Sequence, residues 1–277
     1  MYVKGLQQKI IDEMFVKPSI DPAAETREII DFMKKYARDH TFIKSFVLGI
    51  SGGQDSTLLG KLVQMAVDEL NKEDSASYEF HGLRLPYGEQ KDAIDADDAV
   101  AFIKPTHRET IDIRPSVDAS VNALNEAGYT ISEFVKGNEK ARERMKVQYA
   151  VAASSSGIVL GTDHPAEDIT GFYTKFGDGA ADLAPLYGLN KRQGKEMLKY
   201  LGAPARLYEK TPTADLESDQ PLLSDEEALG VTYNAIDDFL EGREISEEDY
   251  ETIIKWYIRT QHKRDHPYHR NFLPDYE

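Results

Sequence analysis

Cysteine is absent from this chain of 277 residues, which excludes disulfides, thiolate zinc sites and a cysteine nucleophile. The sequence also lacks any apolar run near the length of a membrane span, and its N-terminus lacks the apolar segment of a signal peptide. We therefore expect a soluble, cytoplasmic protein that has no membrane partner.

Positive charge is scarce as well. Lys and Arg number 33 against 49 Asp and Glu, and the formal net charge is −16. This excess of acid argues against broad binding to nucleic acid, so we expect no nucleic-acid partner. It does not forbid an anionic substrate, because local basic groups and Mg²⁺ can reverse the potential inside a cleft.

Low-complexity tracts and internal repeats are missing too, and 40% of the residues are apolar, which is enough for a proper core. The length fits one large α/β domain or a domain with a smaller appendage. We predict a single domain over residues 1–277, in which helical N- and C-terminal segments pack on an α/β core.

Short apolar runs alternate with segments of helical periodicity along the chain. They predict strands at residues 45–48, 78–86, 110–113 and 156–161, with helices at 57–66, 91–103, 116–127 and 138–153 between them. Further helices are predicted at 5–16, after Asp21-Pro22, at 191–201, at 234–240 and from Ser246 to about Gln261. The alternation predicts an α/β fold with a doubly wound, Rossmann-like parallel sheet and helices on both faces. Ligands of such sheets bind outside the carboxyl ends of the strands.

The stretch around which the chain is organised lies between the first predicted strand and its helix. It is Gly49-Ile50-Ser51-Gly52-Gly53-Gln54-Asp55-Ser56. A tight glycine turn before a helix aims unpaired N–H groups and the positive end of the helix dipole at one point, which suits an anion. Gly52 and Gly53 admit phosphate oxygens closely, and the serines add hydroxyl donors. Asp55 would repel a phosphate unless a divalent cation lay between them, so the stretch predicts a nucleotide site with a bound metal.

The pattern is neither a Walker A loop nor the Gly-x-Gly-x-x-Gly dinucleotide fingerprint. Ser-Gly-Gly-x-Asp-Ser resembles the pyrophosphate loop of the ATP pyrophosphatases, which cleave ATP between the α- and β-phosphates. The structural alternative is an ordinary turn, because glycine-serine turns between strand and helix are common in α/β proteins.

Several other segments have both a functional and a structural interpretation. Residues 162–167 follow the fourth predicted strand, 171–182 form a glycine- and aromatic-rich candidate binding loop, and 211–221 have the composition of a lid. Lys191 begins a helix, where a cation is misplaced unless an anion also binds there. The acidic run within 92–98 fits a solvated face better than a metal site. The basic cluster within 140–146 has surface charge as its structural alternative, yet such a cluster is unusual in so acidic a protein. The cations at 262–264 are explained equally well by helix capping.

Taken together, these segments resemble ammonia-dependent NAD synthetase over nearly the whole chain. The segments that carry the resemblance are residues 49–56, Lys136-Gly137-Asn138-x-x-Ala141-Arg142-x-Arg144-Met145, Gly161-Thr162-Asp163-His164, Glu167-x-x-x-Gly171-Phe172-x-Thr174-Lys175-x-Gly177-Asp178-Gly179, Gly188-Leu189-x-Lys191-Arg192-Gln193-Gly194 and Pro212-Thr213-Ala214-Asp215-Leu216. The resemblance implies an adenine nucleotide alpha hydrolase type of fold. It also implies that ATP, deamido-NAD and ammonia react to give NAD, AMP and pyrophosphate.

The resemblance also implies roles for individual residues. ATP would be bound by residues 49–56 with Arg84, Thr162, Lys191 and Thr213; Mg²⁺ by Asp55 and Glu167; and deamido-NAD by Arg142, Lys175, Asp182, His262 and Lys263. Asp55 and Lys191 are the expected catalytic residues. In the family the deamido-NAD site lies largely across the interface of a homodimer, so a homodimer is expected. The match breaks down from Arg264 onward.

The chemistry read from the residues agrees with this resemblance. A carboxylate and ammonia do not form an amide without activation, and adenylation makes AMP the leaving group. Without cysteine the chain cannot release ammonia from glutamine as glutamine-using relatives would, and the tRNA-thiolating relatives also use cysteines. Two alternatives stay open: another amidating or ligating ATP pyrophosphatase with a different carboxylate substrate, and a nucleotide-binding regulator without turnover.

Overall fold

A computed structural model describes residues 2–88, 93–209 and 225–270. Its strands are β1 (Ser45–Gly49), β2 (Glu79–Arg84), β3 (His107–Thr110) and β4 (Gly157–Val159). Its helices are α1 (Tyr2–Met14), α2 (Pro22–Asp39), α3 (Gln54–Asp74), α4 (Ala93–Ile103), α5 (Arg114–Glu126), α6 (Glu133–Ser154), α7 (Pro165–Asp168), α8 (Lys191–Tyr200), α9 (Arg206–Glu209), α10 (Asp225–Leu229), α11 (Tyr233–Leu240) and α12 (Glu247–Arg264).

The strands form one parallel sheet in the order β3-β2-β1-β4. The chain moves outward from β1 to β3 and then crosses to the other side of β1 for β4. This reversal is the topological switch point of a doubly wound sheet, so the predicted α/β fold is confirmed.

Central strand β1 is buried on both faces, which explains its uninterrupted apolar sequence. Phe46 and Leu48 belong to a large hydrophobic cluster with residues of α2, α3, α4 and α8. Val47 points the other way and packs with residues of α5 and α6. The helices therefore lie in two layers, as the sequence predicts.

A third hydrophobic cluster joins α1, α7, α11 and α12 around buried Ile10, Phe239 and Ile253. This cluster brings the N- and C-terminal helices together beside the carboxyl end of the sheet. That the whole chain is a single domain stays a prediction. No helix within the described ranges is long and apolar enough to cross a membrane.

Side chains cap the starts of several helices. Asp21 accepts hydrogen bonds from Ala23 and Ala24 at the start of α2, and Ser246 accepts one from Asp249 at the start of α12. Asn190 forms a capping box with Gln193 at the start of α8. Helix α3 begins at Gln54 rather than Thr57, which places Asp55 in its first turn.

Other boundaries predicted from the sequence are wrong. The third strand pairs over His107–Thr110, because the apolar residues 111–113 continue beside β2 only through single bonds to the carbonyls of Arg84 and Pro86. Ser116 lies inside α5, which begins at Arg114 because Asp112 accepts its N–H and proline is tolerated in a first helical turn. Helix α6 begins at Glu133, five residues before the predicted start, because Ser132 caps it.

The acidic run contributes ion pairs at the surface. Asp97 lies 2.6 Å from Arg84, and Asp98 lies 2.5 Å from Arg206. Asp92 and the predicted lid at 211–221 lie outside the described residues.

Candidate active site

Two loops meet at the switch point between β1 and β4. Residues 49–56 follow β1, residues 160–167 follow β4, and these strands are neighbours. The carboxyl ends of parallel strands share one edge of a sheet, so the two predicted binding segments lie side by side.

The glycine loop is held open by hydrogen bonds among its own residues and from α6. The hydroxyls of Ser51 and Ser56 are 3.0 Å apart, and Gly53 N–H donates to Ser51 Oγ over 3.2 Å. Gly49 N–H donates to Gln148 Oε1 over 2.8 Å. Gly53 is the N-cap of α3, and it has no side chain to cap the first turn of the helix. N–H groups of that turn therefore face the loop without an intrahelical acceptor.

Gly52 is required by the shape of this loop. Its φ is +85°, a left-handed conformation that favours glycine. A Cβ atom there would lie 2.6 Å from Ala96 N and 2.8 Å from Asp95 C, which are backbone atoms of α4. The loop therefore packs directly against a neighbouring helix.

The ammonium of Lys191 reaches the mouth of the loop and joins it to the loop after β4. Its Nζ is 2.7 Å from Asp55 Oδ2 and 3.1 Å from Glu167 Oε1. His164 lies beside them, with Nε2 3.4 Å from Lys191 Nζ and 3.5 Å from both carboxylates. The ring of Tyr233 covers the ammonium, with its centroid 4.9 Å from Nζ.

Opposite charges keep these groups ionised despite burial. Burial disfavours the charged forms of Lys191 and His164, but Asp55 and Glu167 outweigh it and raise the pKa of Lys191 well above its usual value. The same carboxylates, of which Glu167 contributes more, raise the pKa of His164 to about 10. Burial would raise the pKa of both acids, but Lys191 and His164 lower it.

The neighbouring acid Asp163 behaves differently. Burial first, and then the negative charge of Glu167, raises the pKa of Asp163 well above its ordinary value. Two carboxyl groups a few residues apart therefore have opposite tendencies, and such pairs of titrating groups cluster at functional sites.

The site contains a donor set for a divalent cation. Ligand atoms of Asp55, His164 and Glu167 all lie within 4.8 Å of one another. Carboxylate oxygens at the edge of the glycine loop fit Mg²⁺ through their chemistry. The sequence predicts Asp55 and Glu167 as metal ligands but not His164. The only feature of the sequence that points to His164 is its position in the Thr-Asp-His turn after β4. His164 Nδ1 is also buried without a hydrogen-bond partner among the described residues.

The backbone of Lys191 is anchored by α11. Lys191 N–H donates to Asp237 Oδ1 over 3.1 Å, and Arg192 N–H donates to Asp237 Oδ2 over 2.8 Å. The preceding cap, Asn190, donates to Glu241 Oε1 over 2.7 Å. The buried carboxylate of Asp237 thus faces the positive end of α8, where the sequence expected an anion. Neither Asp237 nor Tyr233 carries a local sequence signal for this role.

Three of the residues predicted to bind deamido-NAD meet at the C-terminal end of α12. Lys263 Nζ donates to the carbonyls of Gly171 and Tyr173 over 2.7 and 2.6 Å, and Lys175 Nζ donates to the carbonyl of His262. A cavity of about 640 Å³ lies beside them, bordered by Lys263, Tyr173 and Asp163 among others. Its size suits a small-molecule ligand.

The remaining predicted binding residues are more dispersed. Asp182 accepts a hydrogen bond from Val159 N–H over 2.8 Å at the end of β4. Arg142 is exposed on α6, 3.5 Å from Glu139. One turn earlier on that helix, Asn138 accepts a hydrogen bond from Thr174 of the aromatic loop over 2.9 Å. Thr162 follows β4, Arg84 ends β2, and Thr213 lies outside the described residues.

The sheet order, the open glycine loop and the buried cluster of carboxylates and cations define a nucleotide-binding α/β enzyme. Comparison with known proteins gives the family. The family model of NAD synthase matches residues 25–267, so the chain belongs to the NAD synthase family.

Individual relatives agree with this assignment. A protein of Oceanobacillus iheyensis called NH(3)-dependent NAD(+) synthetase is 60% identical over 264 residues, which are 95% of this chain and 96% of the relative. The crystal structure of NAD+ synthetase from Burkholderia pseudomallei is 42% identical, with a TM-score of 0.82 over 95% of this chain and 97% of that one. A structure of NMN synthetase from Francisella tularensis is 33% identical, with a TM-score of 0.80 over 92% of this chain and 100% of that one. The resemblance to ammonia-dependent NAD synthetase, and with it an enzyme of the ligase class, is confirmed.

Proposed function

We propose that this enzyme transfers AMP from ATP to the nicotinate carboxylate of deamido-NAD and that ammonia then displaces AMP to give NAD. The observation that carries the proposal is Lys191, whose ammonium lies between Asp55 and Glu167 at the mouth of the glycine loop. Family membership supports the overall reaction. Membership of an enzyme family rules out the regulator without turnover, and binding ATP alone does not require this buried set of charges.

Each part of the site has a role in the first step. Residues 49–56 bind the phosphates of ATP through the N–H groups at the start of α3, together with Arg84, Thr162 and Thr213. Attack of the carboxylate on the α-phosphorus transfers negative charge to the departing pyrophosphate, and Lys191 stabilises that charge. Asp55 and Glu167 would hold Mg²⁺, with His164 beside them, and the ion when bound would neutralise phosphate charge.

The second step needs no side-chain nucleophile. Ammonia carries its own lone pair, attacks the acyl carbon of the adenylate and releases AMP. The attacking species must be NH₃ rather than NH₄⁺, because the ammonium ion has no lone pair. The nitrogen loses one proton as the amide forms, and water accepts it.

Deamido-NAD would bind along α6, the aromatic loop and the end of α12. Lys175, His262, Lys263, Arg142 and Asp182 supply charged and polar groups there, and the cavity supplies volume. This site extends to the exposed face of α6, where Phe134 and Arg142 are both accessible to solvent. We therefore propose a homodimer whose partner covers this face, and a cytoplasmic location, in keeping with the substrates.

The proposal is tested by measuring pyrophosphate release with ATP, Mg²⁺ and ammonium. One reaction contains deamido-NAD and the other nicotinate mononucleotide, because a similar structure is an NMN synthetase. We expect much faster release with deamido-NAD, and formation of NAD. Preference for the mononucleotide would make nicotinate mononucleotide the substrate, and release with neither acceptor would indicate a different carboxylate substrate.

Removing either proposed metal-binding charge should abolish most activity. Asp55→Asn and Glu167→Gln keep the shape of each side chain, and losing one electrostatic contributor of this kind costs roughly 10²–10³-fold in rate. Glu196→Gln, on the exposed side of α8, is the matched control and should leave the rate unchanged. Near-wild-type pyrophosphate release by either site variant would remove that residue from the mechanism.

Arg142 tests the shared substrate site. Arg142→Ala should weaken binding of deamido-NAD by about 1–3 kcal/mol, the scale of a charge-assisted hydrogen bond, and leave ATP binding little changed. Calorimetric titrations with each ligand separate the two effects, and sedimentation gives the oligomeric state. Full activity of a monomer would contradict the shared site.

A further inference from the structure

A second cluster of ligating side chains lies at the opposite end of the sheet from the candidate active site. Glu79 and His81 are on β2, and His107 begins the neighbouring strand β3. His81 and His107 are direct partners in the parallel register, and their rings stack with centroids 4.6 Å apart and planes 16° apart. Glu79 is two residues before His81, so its side chain lies on the same face.

The three side chains converge on one another. His107 Nε2 is 3.2 Å from Glu79 Oε1, and His81 Nε2 is 3.8 Å from Glu79 Oε2. Their ligand atoms all lie within 4.8 Å of one another. Two ligands at about 2.1 Å from a tetrahedral ion are roughly 3.4 Å apart, so these separations are close to those of a coordinated set.

Both converging nitrogens lack a hydrogen-bond partner. Nε2 of His81 and Nε2 of His107 are inaccessible to solvent, and within the described residues neither makes a hydrogen bond. The contacts with Glu79 are close but do not have hydrogen-bond geometry. A buried polar nitrogen without a partner is costly, and a bound cation would satisfy both nitrogens at once.

Glu109 favours the His81 tautomer that can bind a metal through Nε2. Its Oε1 lies 3.3 Å from His81 Nδ1, on the other side of the ring from Glu79. A carboxylate at Nδ1 favours the tautomer with the proton on that nitrogen, which leaves the lone pair on Nε2. Metal-binding histidines are oriented by this kind of outer carboxylate.

We propose that Glu79, His81 and His107 bind a divalent transition-metal ion, with Glu109 positioning His81. Two imidazole nitrogens and one carboxylate favour Zn²⁺, Ni²⁺ or Cu²⁺ over Mg²⁺, which prefers oxygen ligands. The half-exposed side chains of Glu79 and His107 leave the site open to incoming ions. Because its ligands come from both strands, the ion would tie β3, a short strand at the edge of the sheet, to β2.

The test is equilibrium dialysis of the metal-stripped full chain against buffered Zn²⁺, with Mg²⁺ in large excess to compete with Zn²⁺ for the carboxylates of Asp55 and Glu167. Wild-type protein and the control His266→Gln, an exposed histidine near the end of α12, should bind Zn²⁺ tightly. His81→Gln, His107→Gln and Glu79→Gln should each lose this binding. Glu109→Ala should weaken it by roughly 10–100-fold without abolishing it.

Spectroscopy identifies the ligands independently of the affinity. With Cu²⁺ in place of Zn²⁺, electron spin-echo spectra of the wild type should show coupling to two imidazoles, and His81→Gln or His107→Gln should reduce it to one. Glu79 is half-exposed, so Glu79→Gln serves as a variant that keeps the fold if a histidine substitution does not. Equal Zn²⁺ binding by the wild type and every ligand variant, or Cu²⁺ spectra that do not change, would overturn the proposal.

Discussion

Lys191→Met is the substitution that tests most directly how the candidate active site is held together. Methionine keeps an unbranched, buried side chain and removes the ammonium between Asp55 and Glu167. The Lys191 side chain is 10% exposed, against 16% for Asp55 and 20% for Glu167. The variant therefore leaves two carboxylates facing each other with little water.

The size of the effect follows from this burial. Breaking a buried ion pair by removing one partner costs about 3–5 kcal/mol, because the remaining charge is left uncompensated. His164 stays in place and water reaches the edges of both carboxylates, so the loss is reduced. We expect the free energy of unfolding to fall by about 2–4 kcal/mol.

The measurement is urea unfolding monitored by the fluorescence of Trp256, the chain's single tryptophan. Trp256 lies on α12 and packs against the hydrophobic cluster that α11 and α12 share. Lys195→Met, one turn further along α8, is the control and should change the unfolding free energy by less than about 0.5 kcal/mol. Added Mg²⁺ should stabilise Lys191→Met more than the wild type, because Asp55 and Glu167 have then lost their competing cation. Equal stability of the two Met variants would refute the reasoning.

Two further predictions concern the glycine loop and a surface ion pair. Gly52→Ala should destabilise the protein by more than the roughly 1–2 kcal/mol of a left-handed alanine, because its Cβ would also meet backbone of α4. Gly128→Ala, at φ +93° with nothing within 4 Å, isolates the conformational part, and equal urea midpoints for the two variants would contradict the clash. Hydrogen bonds from Arg27, and to a smaller extent from Lys34, lower the pKa of Glu69 below its usual 4.5. The stability that Glu69 contributes is therefore present above pH 4.5 and is lost as the pH falls towards its pKa in the folded state. The difference in unfolding free energy between wild type and Glu69→Gln should shrink over that range, and a constant difference would contradict this assignment.

The parts of the fold that the sequence predicts best are those fixed by local chemistry. The apolar run before Gly49, the caps Asp21 and Asn190, and the glycine turn each specify their own structure from nearby residues. The sequence misplaces strand β3, because this strand is polar and lies at an edge, where hydrogen bonding to β2 rather than hydrophobicity decides the pairing. The early start of α6 was missed because a cap at Ser132 precedes a polar first turn without an apolar stripe.

In the candidate site, too, local sequence predicts some residues, and tertiary packing alone places the others. Asp55 and Glu167 follow strand ends, where parallel-sheet topology alone brings them together. His164, Tyr233 and Asp237 reach the same place through tertiary packing, and no spacing in the sequence relates them to Lys191. The approach of a buried lysine to two carboxylates could not be predicted, because it depends on how α8 is oriented against α3 and α7.

That orientation is set outside the sheet. Asp237 accepts the N–H groups of Lys191 and Arg192, and Glu241 accepts a hydrogen bond from the cap Asn190. One carboxylate within α11 and one directly after it therefore fix the start of α8. Helix α11 is in turn buried against α1 and α12 through Ile236 and Phe239. The terminal helices therefore determine where the Lys191 ammonium stands relative to the glycine loop. An α/β core without them would retain the loop, Asp55 and Glu167 but would lose the support that aims Lys191 at both carboxylates. This dependence favours the prediction that the chain is one domain.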